Sequence, residues 1–194
     1  MQTNLMYDIP FGTCEKFNTV VEIPKSSHHK YEYDEKLGVF KLNRILLPSM
    51  SYPGNYGFIP QTIADDGDPI DILIVKSGTI ERGTVVECSP IGALHMIDEG
   101  KTDIKVICIP TFHHMASRIT TIMDLDRYFI DQIHHFFQHY KDLEQKSVEI
   151  KGWLSVEEAI DMVEEAEIKY ITEAPDERRF NAWSSTKTTL LGLN

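Results

Sequence analysis

The chain has 194 residues, of which 42% are hydrophobic and 10% aromatic; this excludes a wholly disordered protein and predicts a single folded domain. The 19 Lys and Arg residues against 30 Asp and Glu residues give a net charge of −11. A field of that sign repels nucleic acid, which is therefore excluded as the main partner unless bound cations locally reverse the charge.

The cysteines and the N-terminal sequence bear on the cellular compartment. Cys14, Cys88 and Cys108 form no C-x-x-C pair, so we expect reduced thiols, as in an intracellular protein. The N-terminus shows no basic segment followed by an apolar one, and no apolar run approaches the roughly 18–20 residues of a membrane span. We therefore expect a cytoplasmic protein without a membrane partner.

The first two thirds of the chain predict strands. Short runs rich in β-branched and aromatic residues alternate with clusters of Gly, Pro, Asn and Asp. The predicted strands cover residues 20–23, 30–34, 39–45, 70–76, 85–96 and 104–110. Because no long helical stretch separates them, they favour a closed or nearly closed antiparallel sheet over a parallel α/β sheet.

Helical periodicity begins later in the chain. Between residues 125 and 143, apolar side chains recur every three or four positions, namely Phe129, Ile133, Phe136, Phe137 and Tyr140. A second helix is predicted to open at Ser155, with Glu158 as its capping-box partner. Its expected buried stripe is Val156, Ala159, Ile160, Val163, Ala166 and Tyr170. The pattern then stops, so residues 1–171 are predicted to form one domain and residues 172–194 a tail of unknown role.

The segment 65–71 is the most informative for chemistry. It places four carboxylates around a Gly and a Pro, those of Asp65, Asp66, Asp68 and Asp71. Such crowding of like charge is costly unless cations bind, and oxygen ligands suit hard ions such as Mg²⁺. A solvated acidic loop is the alternative that this segment alone leaves open. The spacing excludes an EF-hand, and the absence of a preceding buried strand excludes a haloacid-dehalogenase-type phosphatase.

Further acidic and basic residues stand near the predicted strand and helix ends. Lys30 and Glu32 share one strand face by the two-residue period, and Lys105 lies two residues beyond Asp103. The others are Glu22, Arg44, Tyr56, Asp98, Tyr140 and Lys141. Each of them alone is typical of an ordinary surface, and only their joint order along the chain indicates a site.

In that order and spacing the chain resembles the soluble family I inorganic pyrophosphatases in their short bacterial form, across residues 7–172. The matching segments are Glu22-Ile23-Pro24, Lys30-Tyr31-Glu32, Tyr52-Pro53-Gly54-Asn55-Tyr56-Gly57, Asp66-Gly67-Asp68-Pro69-Ile70-Asp71, Asp98-Glu99, Asp103-Ile104-Lys105 and His139-Tyr140-Lys141-Asp142-Leu143-Glu144. Together with the predicted strands, the resemblance implies a mainly β, α+β fold. We expect a small, twisted, OB-like five-stranded β-barrel with two main helices packed outside.

The resemblance also implies an activity, which is Mg²⁺-dependent hydrolysis of pyrophosphate to two phosphates. A metal-activated hydroxide would attack directly, without a covalent intermediate. A first Mg²⁺ is implied at Asp66, Asp71 and Asp103, with Asp71 shared with a second ion. Further ions would bind Asp98, Asp103, Glu22 and Glu32, and Asp68 would be the general base. The two phosphoryl groups would be held by Lys30, Arg44, Tyr56, Lys105, Tyr140 and Lys141.

The charges of this set predict a requirement for metal. Seven carboxylates and four basic side chains give the site a net charge of −3, which repels pyrophosphate. Two Mg²⁺ ions carry four positive charges and would bring the site to +1. We therefore expect essentially no activity without a divalent metal.

Two other functions fit the sequence less well. A nucleoside-triphosphate or polyphosphate hydrolase would share the chemistry, but no Gly-rich loop or base-stacking platform is visible. An OB-like module for single-stranded nucleic acid would need a basic groove with interleaved aromatic side chains. The acidic cluster and the net charge disfavour it.

His135 and His139 lie four residues apart on the first predicted helix, a spacing that can chelate Zn²⁺. No third ligand is evident nearby in the sequence, so a surface or subunit-contact role is the favoured interpretation. The resemblance implies a homo-oligomer, usually a hexamer. Protonation of either histidine could then weaken assembly at mildly acid pH.

Overall fold

The structure, a computed structural model, describes residues 3–46, 49–114, 117–144 and 146–174. Within these ranges the strands are β1 Gly12–Thr13, β2 Lys16–Ile23, β3 His29–Asp34, β4 Val39–Ile45, β5 Asn55–Phe58, β6 Asp71–Ile74, β7 Val85–Asp98, β8 Lys101–Pro110 and β9 Val148–Leu154. The helices are α1 Arg127–His139 and α2 Val156–Glu173. Short 3₁₀ turns cover Ile122–Asp124 and Asp142–Glu144.

Five strands form a closed ring of backbone pairings. β2 pairs with β5, β5 with β6, β6 with β8, and β8 with β7, which returns to β2. β1 and β9 extend the same sheet beside β2 and β7. The predicted five-stranded, OB-like architecture with two helices is thus confirmed.

One expectation about the sheet is wrong, because the sheet is not antiparallel throughout. β6 and β8 run parallel, with Asp71 opposite Lys105. β7 follows β6 in the chain but lies on the far side of β8, so β8 returns between them in the direction of β6. Local sequence patterns do not carry this information, since strand direction depends on where the intervening strand lies.

β3 and β4 form a separate two-stranded sheet, called here the β3–β4 hairpin. The pairing is antiparallel, with Lys30 opposite Arg44 and a bulge between Lys30 and Tyr31. Tyr33 packs in a small apolar cluster with Val20 of β2. Several predicted site residues therefore lie on a unit outside the ring.

Alternate residues of the strands contribute to apolar clusters on the two faces of the sheet. Leu73 of β6 belongs to the cluster that α1 covers with Ile133. Its neighbour Ile72 belongs to the cluster that α2 covers with Val163. The two helices thus pack on opposite faces of the sheet and leave the strand ends open for a site.

Both predicted helices are present. α1 begins at Arg127, two residues after the predicted onset. α2 follows the predicted capping box, in which Ser155 Oγ accepts the N–H of Glu158 at 3.2 Å and Glu158 Oε2 accepts that of Ser155 at 2.7 Å. In the predicted stripe, Val156 and Ile160 are half-buried and the other members are buried.

Three strands, β1, β5 and β9, were not predicted from the sequence patterns. α2 ends at Glu173, and residues 175–194, the greater part of the predicted tail, lie outside the described residues. Across the described ranges no helix combines the length and apolar character that a membrane crossing requires.

Candidate active site

The site is built around the point where β6 and β8 lie side by side. The ammonium of Lys105, which is buried, contacts the carboxylate of Asp71 opposite it and lies 2.6 Å from Asp103 Oδ1. Burial alone would lower the pKa of Lys105, but Asp71 and Asp103 outweigh it and raise this pKa. Burial also raises the pKa of Asp103, although Lys105 opposes the shift. One buried cation thus holds two carboxylates together.

The loop before β6 presents two more carboxylates. Gly67, at φ +95°, allows a turn in which Asp66 Oδ1 accepts the N–H of Asp68 at 3.1 Å. The N–H of Ala64 donates to the carbonyl of Asp68 at 2.7 Å and closes the loop. Partial burial of its carboxyl, followed by repulsion from Asp66 and Asp71, raises the pKa of Asp68. The loop therefore directs Asp68 towards the same group of acids.

Glu22, near the end of β2, joins the ring to the β3–β4 hairpin. Its buried carboxylate accepts the N–H of Tyr33 on β3 at 2.7 Å. Burial raises the pKa of Glu22 to about 8 against the lowering effect of that hydrogen bond, and Asp71 adds to the increase. Glu22 thus lies within electrostatic reach of the β6 carboxylate.

The β3–β4 hairpin contributes charges of both signs. Lys30 Nζ lies 2.7 Å from Glu32 Oε1, and Asn43 Nδ2 donates to Glu32 Oε2 at 2.8 Å. Both Lys30 and Glu32 act electrostatically on Asp68. The hairpin therefore faces the loop that precedes β6.

A third group comes from the ends of β7 and α1. The Lys141 ammonium contacts the Asp98 carboxylate. Arg44 of the β3–β4 hairpin reaches the same region, with its Cζ 5.8 Å from the ring centre of Tyr140 and its Nε 2.8 Å from Glu144 Oε1. Burial raises the pKa of Tyr140. The end of α1 and the hairpin thus meet at this side of the site.

Tyr56 of β5 lies between these groups. Its ring centre is 5.7 Å from Lys105 Nζ and 5.2 Å from the ring centre of Tyr52. Burial, and then the charges of Asp71 and Asp103, raise the pKa of Tyr56. The phenol therefore stays protonated and is available as a hydrogen-bond donor.

Buried atoms of Asp98 and Arg44 have no hydrogen-bond partner among the residues that the structure describes. They are Asp98 Oδ1, Arg44 Nη2 and Arg44 Nε, the last of which has only the ion-pair approach to Glu144. Buried donors and acceptors are normally satisfied. A free carboxylate oxygen suits a cation and a free guanidinium N–H suits an anion, so the site offers contacts to ligands of both signs.

The donor set fits a hard divalent cation, because all of the predicted metal ligands are carboxylates. In the described part of the chain, however, no three Asp, Glu, His or Cys side chains are placed to hold one ion together. Lys105 contacts both Asp71 and Asp103. An ion shared by these two carboxylates would therefore have to displace an ammonium.

The histidine pair of α1 lies on an exposed face of that helix. The ring centres of His135 and His139 are 4.6 Å apart, and His139 Nδ1 lies 2.9 Å from Asp142 Oδ2. Asp142 is thus an acidic partner for His139. The predicted subunit contact stays a prediction.

All the predicted site residues fall into one connected group, each within contact or electrostatic reach of another. Sequence reasoning missed three neighbours that support them. Glu144 pairs with Arg44 and stands at the end of the last matching segment, a signal that could have identified it. Asn43 and Tyr33, which bind Glu32 and Glu22, carry no sequence signal.

Comparisons with known proteins identify one family. The family model for inorganic pyrophosphatase matches residues 19–171. The chain is 44% identical over 155 residues to the inorganic pyrophosphatase of Saccharolobus solfataricus, across 78% of this chain and 90% of the relative. It is 42% identical over 153 residues to that of Synechocystis, across 79% of this chain and 90% of the relative.

A solved structure gives the same result. The crystal structure of inorganic pyrophosphatase from Thermus thermophilus superposes with a TM-score of 0.83 at 38% identity, covering 87% of this chain and 99% of that one. The match thus extends over most of this chain and nearly all of that one. The chain therefore belongs to the inorganic pyrophosphatase family and is a hydrolase of pyrophosphate.

Proposed function

We propose that the enzyme hydrolyses pyrophosphate to two phosphates in a Mg²⁺-dependent reaction, by direct attack of water and without a covalent intermediate. The observation that carries this proposal is the pair of unsatisfied groups, Asp98 Oδ1 and the Arg44 guanidinium, buried in one cluster. Asp98 Oδ1 can accept a cation in addition to the Lys141 ammonium on Oδ2, and Arg44 Nη2 can bind an anion in addition to Glu144 at Nε. A magnesium–pyrophosphate complex supplies both.

The residues that would hold Mg²⁺ are Asp66, Asp71 and Asp103 for a first ion, and Asp98, Glu22 and Glu32 for further ions, with Asp71 and Asp103 shared. Their oxygens match the ligand preference of this metal. Bound Mg²⁺ would offset the net charge of −3 and lower the pKa of the attacking water.

Asp68 is proposed as the general base. It belongs to the loop before β6, and the turn at Gly67 fixes its backbone next to Asp66. A surface carboxylate held close to, but not between, the buried ion pairs can accept a proton from water and release it to solvent.

The proposed phosphate-binding residues are Lys30, Arg44, Tyr56, Lys105, Tyr140 and Lys141. Arg44 offers a planar fork for two phosphate oxygens, whereas the lysines act as point charges. Lys105 and Lys141 already contact carboxylates. A phosphate oxygen can replace the carboxylate beside such an ammonium only if the carboxylate binds another cation. We therefore expect metal and substrate to bind cooperatively.

We also propose a cytoplasmic homohexamer that does not bind nucleic acid. The net charge of −11 opposes nucleic-acid binding, and the three free cysteines suit a reducing compartment. The exposed His135–His139 face of α1 is the proposed subunit contact. Sedimentation at pH 5 and pH 8 tests it, and an oligomer unchanged between the two would contradict a histidine-dependent contact.

The deciding experiment measures phosphate release from pyrophosphate and from ATP, each with Mg²⁺ and with excess chelator. We expect rapid release from pyrophosphate with Mg²⁺, little from ATP, and none with chelator. Turnover that persists in chelator would refute the metal requirement. Faster release from ATP would favour a nucleoside-triphosphate hydrolase instead.

A further inference from the structure

Among the strands that the structure describes, those of the β3–β4 hairpin share no pairing with the seven-stranded sheet. The hairpin nevertheless carries Lys30, Glu32 and Arg44, which the proposed function places at substrate and metal. Their position relative to Asp71 therefore depends on side-chain contacts between the hairpin and the ring. A contact that orients the hairpin would influence the site without touching substrate.

The turn before β7 is firmly attached to β2. The N–H of Gly83 donates to the carbonyl of Val21 at 2.8 Å, and the N–H of Val21 donates to the carbonyl of Thr84 at 3.1 Å. Gly83 has φ +83°, a conformation that favours glycine. The turn is thus a fixed point of the ring from which a side chain can reach the hairpin.

Arg82 of this turn reaches the hairpin. Its Nε donates to the carbonyl of Glu22 at 2.9 Å, and its Cζ lies 3.2 Å from the ring centre of Tyr31 and 6.0 Å from that of Phe40. Tyr31 belongs to β3 and Phe40 to β4, so one guanidinium contacts both strands of the hairpin and the end of β2. In the described part of the chain Arg82 forms no ion pair with a carboxylate.

We infer that Arg82 is a positioning residue for the reaction. Tyr31 lies between Lys30 and Glu32 in β3, so stacking the guanidinium on this ring fixes the strand that presents both side chains. The Nε bond to Glu22 ties that stack to the residue that also holds the N–H of Tyr33. This inference rests on the proposed function of the hairpin residues.

The test compares Arg82→Ala and Arg82→Lys with the wild type. For Arg82→Ala we expect kcat/KM for pyrophosphate to fall by about 3- to 30-fold, with a higher KM and a lower kcat. Lysine keeps the charge but lacks the planar face, so Arg82→Lys should recover only part of the loss. A role in stability alone would lower Tm and leave KM unchanged.

A second measurement is independent of turnover. The amide of Tyr33 is bonded to Glu22 across the hairpin–ring junction, so its hydrogen exchange in the metal-free protein reports the hairpin position. We expect Arg82→Ala to speed this exchange relative to amides of β6. The matched control is Lys76→Ala, which removes an exposed cation whose ring contact, among the described residues, is with Phe129 of α1 at 5.6 Å. It should leave exchange and kinetics unchanged.

The inference would be overturned if Arg82→Ala kept the wild-type KM and the wild-type hydrogen exchange of Tyr33. Wild-type kinetics in Arg82→Lys would also overturn it. Arg44→Ala, assayed alongside, separates the positioning role of Arg82 from the proposed role of the hairpin residues. If Arg44→Ala impairs turnover and Arg82→Ala does not, only the positioning role fails. If neither variant is impaired, the proposed role of the hairpin fails with it.

Discussion

Asp71 and Lys105 lie directly opposite each other in the parallel pairing of β6 with β8, and their side chains meet inside the site. The same ammonium lies 2.6 Å from Asp103. Only 4% of the Lys105 side chain is exposed, against 31% for Asp71 and 16% for Asp103, so water compensates the two acids only in part if the ammonium is removed.

Lys105→Met is therefore expected to lower the free energy of unfolding by about 3–5 kcal/mol in chelator, because two carboxylates lose their shared cation. Added Mg²⁺ should restore part of this loss. Urea unfolding with and without Mg²⁺ is the measurement. The control, Lys151→Met, removes an exposed pair with Glu149 and should cost less than about 1 kcal/mol; equal losses in the two variants would contradict the argument.

Asp68→Asn is expected to reduce kcat by about 10²- to 10⁴-fold, since an amide cannot accept the proton of water. Mg²⁺ binding, followed by calorimetry, should remain near the wild-type value. Asp65→Asn is the matched control in the same loop, because within the described ranges Asp65 pairs with Lys169, at 3.6 Å, and not with a proposed site residue. An equal fall in kcat for both variants would show that loop charge, and not a base, matters.

Asp71→Asn, unlike Asp68→Asn, is expected to change the Mg²⁺ concentration that the enzyme requires. It removes a proposed ligand shared by two ions, so the Mg²⁺ concentration for half-maximal activity should rise by about 10-fold or more. Rates at several Mg²⁺ concentrations give this value. If Asp71→Asn and Asp68→Asn behave alike at saturating Mg²⁺, the division of roles between ligand and base is wrong.

Cys14 should be slow to alkylate. Burial, and then the charges of Glu167 and Glu164, raise the pKa of its thiol to about 11. A raised pKa leaves less thiolate at a given pH, so at pH 8.5 we expect iodoacetamide to react about 10-fold more slowly than with a free cysteine. Mass spectrometry of the native protein follows the reaction.

The two other cysteines do not interfere with this measurement, since Cys88 and Cys108 are free but fully buried. Glu167→Gln removes the carboxylate 3.9 Å from Cys14 Sγ and should accelerate labelling. Unchanged labelling in Glu167→Gln would rule out its charge as a cause of the shift.

Ser155→Ala removes the hydroxyl that accepts the N–H of Glu158 at the start of α2. The expected loss of stability is about 0.5–2 kcal/mol, the usual range for an N-cap. Urea unfolding measures it, with Ser155→Thr as the control that keeps the acceptor. A loss in Ser155→Thr as large as in Ser155→Ala would contradict the capping argument.

The sequence predicted the strands that have strong β-branched runs and missed β5, whose first residues are typical of a turn. β5 begins at Asn55, within Pro53-Gly54-Asn55, one of the clusters of Gly, Pro and Asn that separate the predicted strands. Gly57 is needed there because a Cβ would lie 1.9 Å from the carbonyl oxygen of Val20. A glycine that resembles a turn signal is thus the mark of two strands in close contact.

Site residues were predictable because their order along the chain is distinctive. The contacts between these side chains were not predictable, since they depend on the parallel alignment of β6 with β8 and on where the hairpin lies. The contact of Lys105 with Asp71 and the stacking of Arg82 on Tyr31 join residues far apart in the chain. No local pattern encodes such contacts.

The side-chain attachment of the β3–β4 hairpin has a consequence for inactivation. A unit held without a backbone ladder can detach at a smaller free energy than the whole fold requires. Mild denaturant should then abolish activity while the circular-dichroism signal of the ring persists. Dilution of the denaturant should restore activity at once, without refolding of the barrel.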